Sequence, residues 1–328
     1  MAATLTRTTH PYIRKVNVRR DLLAVADLIE VCFASTLDDD GREYLRQMRW
    51  AARDMNYLSW MQGAAERIGS PLYGFVWEEN DRIIGNLSLI PFNRRGKLTY
   101  LIANVAVHPQ FRRRGIGHML TQTALEHLRE RAIETVWLQV RDDNQVAHHL
   151  YLAEGFVERT RRTNWQSRGL YLLTRPAPVE ITVRPRRARD WPLQRRWLGD
   201  IYPPEIAWNL PLNPNRFAPG LWRGLFRWLQ GESAASWAAM HGDRPLGFLS
   251  WEPMRTASDP LWLAVLPHAE DAAIRALLPF ARSMLAAKGK PLSVNYPAGR
   301  AADAFQSSGF FNYQTLIWMS IDLDRTLS

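Results

Sequence analysis

Apolar and polar positions along the chain fall into short runs of alternating character. Residues 12–18 read as a strand and residues 21–33 as a helix, with Leu22, Val25, Ala26, Leu28 and Ile29 on one face. Asp38, Asp39, Asp40 and Gly41 read as a loop, and residues 43–61 as largely helical. Residues 73–78 and 82–90 predict a hairpin around Asn80-Asp81. Residues 98–107 are almost purely apolar, as expected of a strand covered on both faces. Residues 115–131 form an amphipathic helix pattern with Ile116, Met119, Leu120, Ala124 and Leu128 on one side. A strand over 135–140, a helix over 145–153 and further strand over 156–173 complete the first half.

The second half repeats this order. DRIIGNLSLIP at 81–91 aligns with DRPLGFLSWEP at 243–253, identical at six of eleven positions. LYLAEGF at 150–156 faces AFQSSGF at 304–310, at a similar offset. Two matches in the same order predict a tandem duplication of one mixed α/β unit. Pro176 and Pro178 mark the boundary between the copies, giving domains 1–177 and 178–328.

Composition adds class and compartment. With 46% apolar and 23% charged residues the chain is globular, and no apolar run approaches a membrane span. The N-terminal stretch lacks an apolar signal core, so a cytoplasmic location without membrane attachment is expected. Cys32 is the single cysteine, which excludes a disulfide framework or a cysteine-rich zinc site; no metal is expected. The net charge is +10, and of the 42 basic residues only four are lysine. The residues up to Arg175 carry +6 and the rest +4, so neither half is a basic module. The arginine surplus fits either phosphate attraction or ordinary surface charge, and neither half shows a nucleic-acid-binding motif.

The chemistry-bearing stretch is Asn104 to His118, NVAVHPQFRRRGIGH. An apolar strand ends at Val107, a proline turn follows, and Gly115-Ile116-Gly117 opens a helix. Glycines let backbone N–H groups converge on an anion, the helix N-terminus favours negative charge, and Arg112, Arg113 and Arg114 add cations. This is a pyrophosphate-binding turn. A second group follows on the next helix, where Asn144 and Tyr151 are two turns apart and share a face. Tyr151 suits either a core aromatic or a proton donor.

With VAVHPQFRRRGIGHML and WLQVRDDNQVAHHLYLAEGF on the page, the chain resembles the GNAT superfamily of acyl-CoA-dependent N-acetyltransferases. Residues 104–165 look most like the bacterial enzymes that acetylate the N-terminal alanine of a ribosomal protein. The resemblance implies two GNAT-like domains, each a mixed, mostly antiparallel sheet flanked by helices, with two central strands splaying to admit acetyl-CoA. It places the pyrophosphate on the N–H groups of Arg112, Arg113, Arg114, Gly115, Ile116, Gly117 and His118. Val105 and Val107 would line the cofactor, the Val107 N–H would meet the thioester oxygen, Asn144 the pantetheine arm or an ordered water, and Tyr151 would protonate the leaving thiolate. The implied reaction is direct attack of a primary amine, of a small molecule or a protein N-terminus, on acetyl-CoA.

One position departs from that subgroup: Gln139 stands where it carries a glutamate, and an amide is no general base. A water chain, Asp142, Asp143, His108 or the run Asp38, Asp39, Asp40 could serve instead, or the amine could arrive neutral. The acidic run fits either a wall that attracts a cationic amine or a solvated turn. In the second copy the turn becomes LAVLPHAEDAAI, with no glycine pair or arginine, and Phe305 replaces the tyrosine. The second copy is therefore degenerate, a structural partner or a wall of the acceptor cleft, with residues 202–221 a lid, wall or structural loop. Mycothiol synthases resemble this tandem plan, but there the C-terminal repeat is the active one. Gln139 and the degenerate copy also suit a non-catalytic acyl-CoA sensor or interaction module. Acceptor identity, acyl-chain preference and oligomeric state stay open.

Overall fold

The computed structural model describes residues 10–54, 73–94, 96–167, 180–220 and 234–323. The prolines at 176 and 178, the end of the strand expected over 156–173 and the end of the helix expected over 43–61 lie outside them. The chain forms two compact units: Met1–Arg159 with Ile317–Ser328, and Thr160–Leu316.

In the first unit, β1 (Ile13–Lys15), α1 (Val18–Phe33) and α2 (Asp39–Ala51) precede the strands β2 (Gly74–Glu79), β3 (Arg82–Arg94) and β4 (Lys97–Val107). Then come α3 (Ile116–Arg129), β5 (Thr135–Arg141), α4 (Gln145–Ala153) and β6 (Val157–Ser167), whose first three residues belong to this unit. Neighbouring strands are antiparallel from β1 to β4, and β4 pairs parallel with β5 across α3. The β2–β3 turn is made by Asn80 and Asp81, both left-handed at φ 51° and 57°, as a tight hairpin between twisted strands requires. One face of the sheet is covered by Leu22, Val25, Ala26 and Ile29 of α1 with Leu45 and Met48 of α2. The other face buries Leu120, Ala124 and Leu128 of α3 against Ile84, Leu87, Ile102 and Val136. Asp21 is buried at the start of α1, where Arg14 grips both carboxylate oxygens at 2.5 and 2.8 Å.

The second unit repeats the plan with β7 (Ile181–Pro185), α5 (Trp191–Ile201), α6 (Pro204–Ala207), β8 (Ala235–His241), β9 (Arg244–Trp251) and β10 (Asp259–Val265). It continues through α7 (Glu270–Leu285), β11 (Leu292–Pro297), α8 (Ala302–Ser307) and β12 (Phe310–Asp322). Again one pair, β10 with β11, is parallel, and it flanks the long helix. The aligned glycines explain themselves here. A Cβ on Gly85 would stand 3.0 and 3.1 Å from Ile116 and Leu120, and one on Gly247 would stand 3.0 and 3.4 Å from Ala273 and Leu277. Each glycine lets the helix cross its strand at the same place.

The strand beside each parallel pair comes from the other repeat. Next to β5 runs the end of β12, with Ile317, Met319, Ile321 and Leu323 in the first unit's core. Next to β11 runs β6, in register from Ser293↔Gln166 to Pro297↔Arg162. This exchange sets the unit limits at Arg159 and Leu316.

Candidate functional site

The site begins where β4 and β5 part. Their parallel register runs from Tyr100↔Val136 to Ile102↔Leu138 and stops there, although β4 continues to Val107 and β5 to Arg141. Opposite β3, β4 is bulged: Ser88 pairs with Ala103 and Asn86 with Ala106, with Asn104 at φ 51° between. The bulge corrects the expectation of a uniformly covered apolar strand. The His108 N–H bonds the Ile84 carbonyl at 2.9 Å. By the alternation of an antiparallel ladder, Gly85↔Val107 is then a non-hydrogen-bonded pair, and the Val107 N–H points away from β3 towards the side where β5 has stopped pairing. The Val107 carbonyl on that side accepts from Cys32 Sγ at 3.3 Å and from Arg112 Nε at 3.2 Å.

The turn to α3 supplies anion-binding geometry. Arg113 and Gly115 are left-handed at φ 62° and 76°, the alternation that gathers successive N–H groups into a concavity. Gly115 is the N-cap of α3, whose first intrahelical bond is Met119 N–H to Gly115 O. The N–H groups of Ile116, Gly117 and His118 precede it, as the orphan donors of a helix start do. Gly117 faces α4 and β4, since a Cβ there would lie 3.4 Å from Leu150 and 3.8 Å from Val107. Arg112, Arg113 and Arg114 are exposed. Arg114 pairs with Glu79 at 2.9 Å, which directs it to the end of β2. His118 pairs with Glu154, tying the turn to the end of α4. Burial pushes the Glu154 carboxyl up, against the opposing pull of His118 and Arg129.

Tyr151 is buried in one apolar cluster with half-buried Val105, Val107 and Leu150 packed against it, and its ring meets Phe156 edge-on at 5.9 Å. Burial pushes the phenol up, so it holds its proton at neutral pH. Asn144 caps α4 by accepting from the Ala147 N–H at 3.2 Å. Gln139 is half-buried on β5, one residue past the last pair with β4.

The acidic run differs from the expected loop. Asp38 is the N-cap of α2, accepting from the Gly41 N–H at 2.7 Å, and Asp39 and Asp40 form the first turn, where the helix dipole favours acids. Asp39 pairs with Arg42 at 3.0 Å. Of the other base candidates, Asp143 is gripped by Arg141, whose hydrogen bond holds its carboxyl below the usual range. Burial, with Arg82 and Arg112, holds His108 below its ordinary value. Sequence reasoning did not single out Cys32, which bonds the Val107 carbonyl, or Tyr44 and Asn86, which lie against Asn104 in the β4 bulge; the one available signal was an asparagine, Asn104, inside an apolar strand. Among the described residues no group of three or more His, Cys, Asp or Glu is placed to hold a metal ion, and no helix is long and apolar enough to cross a membrane.

The model of the acetyltransferase (GNAT) family matches residues 28–156. The chain is 45% identical over 62 residues to the [ribosomal protein bS18]-alanine N-acetyltransferase of Salmonella typhimurium, a match covering 19% of this chain and 42% of that protein. The chain thus spans less than half the length of that relative. Among solved structures, a GCN5-related N-acetyltransferase from Sphaerobacter thermophilus superposes with TM-score 0.59 at 16% identity, over 95% of this chain and 96% of that one. A tandem GNAT protein from the clavulanic acid biosynthesis pathway superposes with TM-score 0.52 at 16% identity, over 95% and 98%.

Proposed function

We propose that the chain, whose residues 28–156 match the model of the acetyltransferase (GNAT) family, transfers the acetyl group of acetyl-CoA to a primary amine, of a small molecule or a protein N-terminus, by direct attack. The observation that carries this reading is the parting of β4 and β5 beyond Ile102 and Leu138, beside a glycine turn with unspent N–H donors. In this reading the residues present fit acetyl-CoA. Arg112 to His118 take the pyrophosphate through backbone donors and Val105 lines the arm, with Asn144 beside it. The Val107 N–H meets the thioester oxygen, where a fixed donor stabilises the charge that develops on attack. Tyr151, held protonated by burial, gives its proton to the departing thiolate. Gln139 orients by hydrogen bonding without taking a proton.

The test is thermal melting with acetyl-CoA, followed by thiol release over an amine panel. Acetyl-CoA raises the melting temperature, because a ligand of the native state stabilises it. Gly117→Glu abolishes the shift by placing a carboxylate against Leu150 and Val107. No shift in the parent chain at millimolar acetyl-CoA sinks the proposal. A shift without thiol release for any amine favours the sensor reading that Gln139 suggests.

A further inference from the structure

A group of uncharged polar side chains beside the parted strands has no task in acetyl-CoA binding. Asn104 sits in the β4 bulge at φ 51°, and its carbonyl accepts from Asn86 Nδ2 at 2.9 Å. Its side chain lies against the Tyr44 hydroxyl of α2 without closing a well-formed hydrogen bond. Asn86 is 1% exposed and its Nδ2 also reaches Ser88 Oγ at 3.4 Å. Among the described residues, two buried oxygens around Asn104, Asn86 Oδ1 and Tyr44 Oη, have no donor in good hydrogen-bond geometry. Such atoms are rare in folded proteins and costly where they occur, so a pair of them beside an opened strand calls for an N–H donor from outside.

The charge around them is the second observation. Among the described residues, the titratable and charged groups placed by these contacts near Asn104 and Val107 are Cys32 from α1, Tyr44 from α2, Arg82 from β3, His108 and Arg112 from the turn, and Tyr151 from α4. None is a carboxylate. Asp38 is spent on the cap of α2, Asp39 on Arg42, and Gln139 is neutral. Neutral oxygens beside a fixed guanidinium favour a free base over an ammonium ion.

Resting on the acetyl-transfer reading, we propose that Tyr44, Asn86 and Asn104 form the acceptor subsite and hold the acceptor nitrogen as a neutral primary amine. The acceptor class is then weakly basic amines, such as an α-amino group, over strongly basic alkylamines. No protein base is needed for the step. The neutral nitrogen's lone pair forms the C–N bond, the C–S bond breaks, and the thiolate takes the Tyr151 proton. The nitrogen then yields a proton through water to the Tyr151 phenolate, leaving amide and free thiol.

The experiment compares two probes, an alanyl dipeptide with an α-amine pKa of about 8 and Nα-acetyl-lysinamide with an amine pKa of about 10.4, by thiol release from pH 6 to 10. The expected result is that kcat/KM rises with pH to an inflection that follows the amine, and that the dipeptide exceeds the lysine probe at pH 7 by about the two-hundredfold that their neutral fractions differ. Tyr44→Phe and Asn86→Ala raise the KM for the dipeptide about tenfold or more, the loss of one buried hydrogen bond each, and leave the acetyl-CoA melting shift in place. An inflection fixed whatever the amine marks an enzyme base and overturns this inference alone, as do unchanged KM values in both variants. No thiol release with either probe, despite an acetyl-CoA melting shift, overturns acetyl transfer as well.

Discussion

The two units carry the same strand end, and only one leaves it open. In the first, the His108 N–H bonds Ile84 O at 2.9 Å; in the second, the Leu266 N–H bonds Leu246 O at 3.0 Å. Val107 pairs with Gly85, and Val265 with Gly247, at the same ladder position. Both parallel pairs also part early, β10 and β11 after Pro260↔Ser293. In the second unit the opening is filled from within. The Leu263 N–H is taken by the Tyr202 hydroxyl at 3.4 Å, and Phe305 stacks on Trp165 with centroids 4.7 Å apart. Arg162 fills the remaining space, bonded to Ile201 O at 2.9 Å and to Asn295, under the ring of Tyr202. Burial pushes its guanidinium down to about 10, still protonated at neutral pH. Where the first unit has Gly115 and Gly117, the second starts its helix with Glu270, paired to Arg300 at 3.1 Å. The framework survives in both; the glycine turn is kept in the first alone, and in the proposed reading it is what binds the anion.

The largest effect comes from breaking the exchange of strands. A chain stopped after Leu316 loses Ile317, Met319, Ile321 and Leu323 from the first unit's core. Each contributes about 1.5–3 kcal/mol when fully buried, together on the order of the whole stability of a domain. The truncated chain is expected to lose the acetyl-CoA melting shift and to be cut by protease within residues 73–159 before 235–297. Retention of the shift would mean that the first unit folds without β12.

The aromatic on the helix after the parallel pair gives the next contrast. Tyr151→Phe is expected to lower kcat by about 10²–10⁴, with acetyl-CoA binding changed less than twofold. The reciprocal Phe305→Tyr adds no turnover. It places a hydroxyl among Trp165, Tyr296 and Phe310, at a cost of about 1–3 kcal/mol read as a lower melting temperature. A Tyr151→Phe chain with parent kcat removes the phenol from the mechanism.

Most of the framework was legible because local rules decided it. The helix at 145–153 has the expected bounds, and Asn80-Asp81 turns the hairpin, since both depend on neighbours in sequence. The Gly115–Gly117 turn was legible for the same reason. Three features were not. The β4 bulge hides in a run whose apolar character looks uniform, with only Asn104 out of place. Asp38 reads as a loop acid because its capping bond to the Gly41 N–H is a backbone matter. The exchange of β6 and β12 is a choice between partners of similar sequence pattern, which tertiary packing settles. Cys32 and Tyr44 reach the site from helices that end more than fifty residues before Val107, so no local pattern announces them.

A smaller effect tests the plug of the second unit. Tyr202→Phe leaves the ring against Trp262 and removes only the acceptor of the Leu263 N–H. The expected loss is about 1–3 kcal/mol, the cost of a buried donor left without a partner, measured by denaturant unfolding. Acetyl-CoA stoichiometry by calorimetry stays at one per chain, because Glu270 and the missing glycine turn still exclude a pyrophosphate. A stoichiometry of two would show that the hydroxyl alone closes the second opening.

The smallest effect concerns an arginine of the glycine turn that pairs with a carboxylate. Arg114 pairs with Glu79 at 2.9 Å and lies 5.4 Å over the ring of Phe111. The pair is partly exposed, and such pairs contribute about 0–1 kcal/mol to stability, so Glu79→Gln leaves the melting temperature of the free chain nearly unchanged. It does release a cation within reach of the turn and removes a carboxylate that repels the pyrophosphate. Acetyl-CoA is therefore expected to bind about two- to fivefold more tightly at low salt, with the gain fading as added salt screens it over about 10 Å at 0.1 M. Glu270→Gln, at the same step of the second unit, gives no such gain, because no ring of free N–H groups awaits the anion there. Equal effects of the two substitutions would make the arginines a general field over the surface; an effect of Glu79→Gln alone ties Arg114 to the turn.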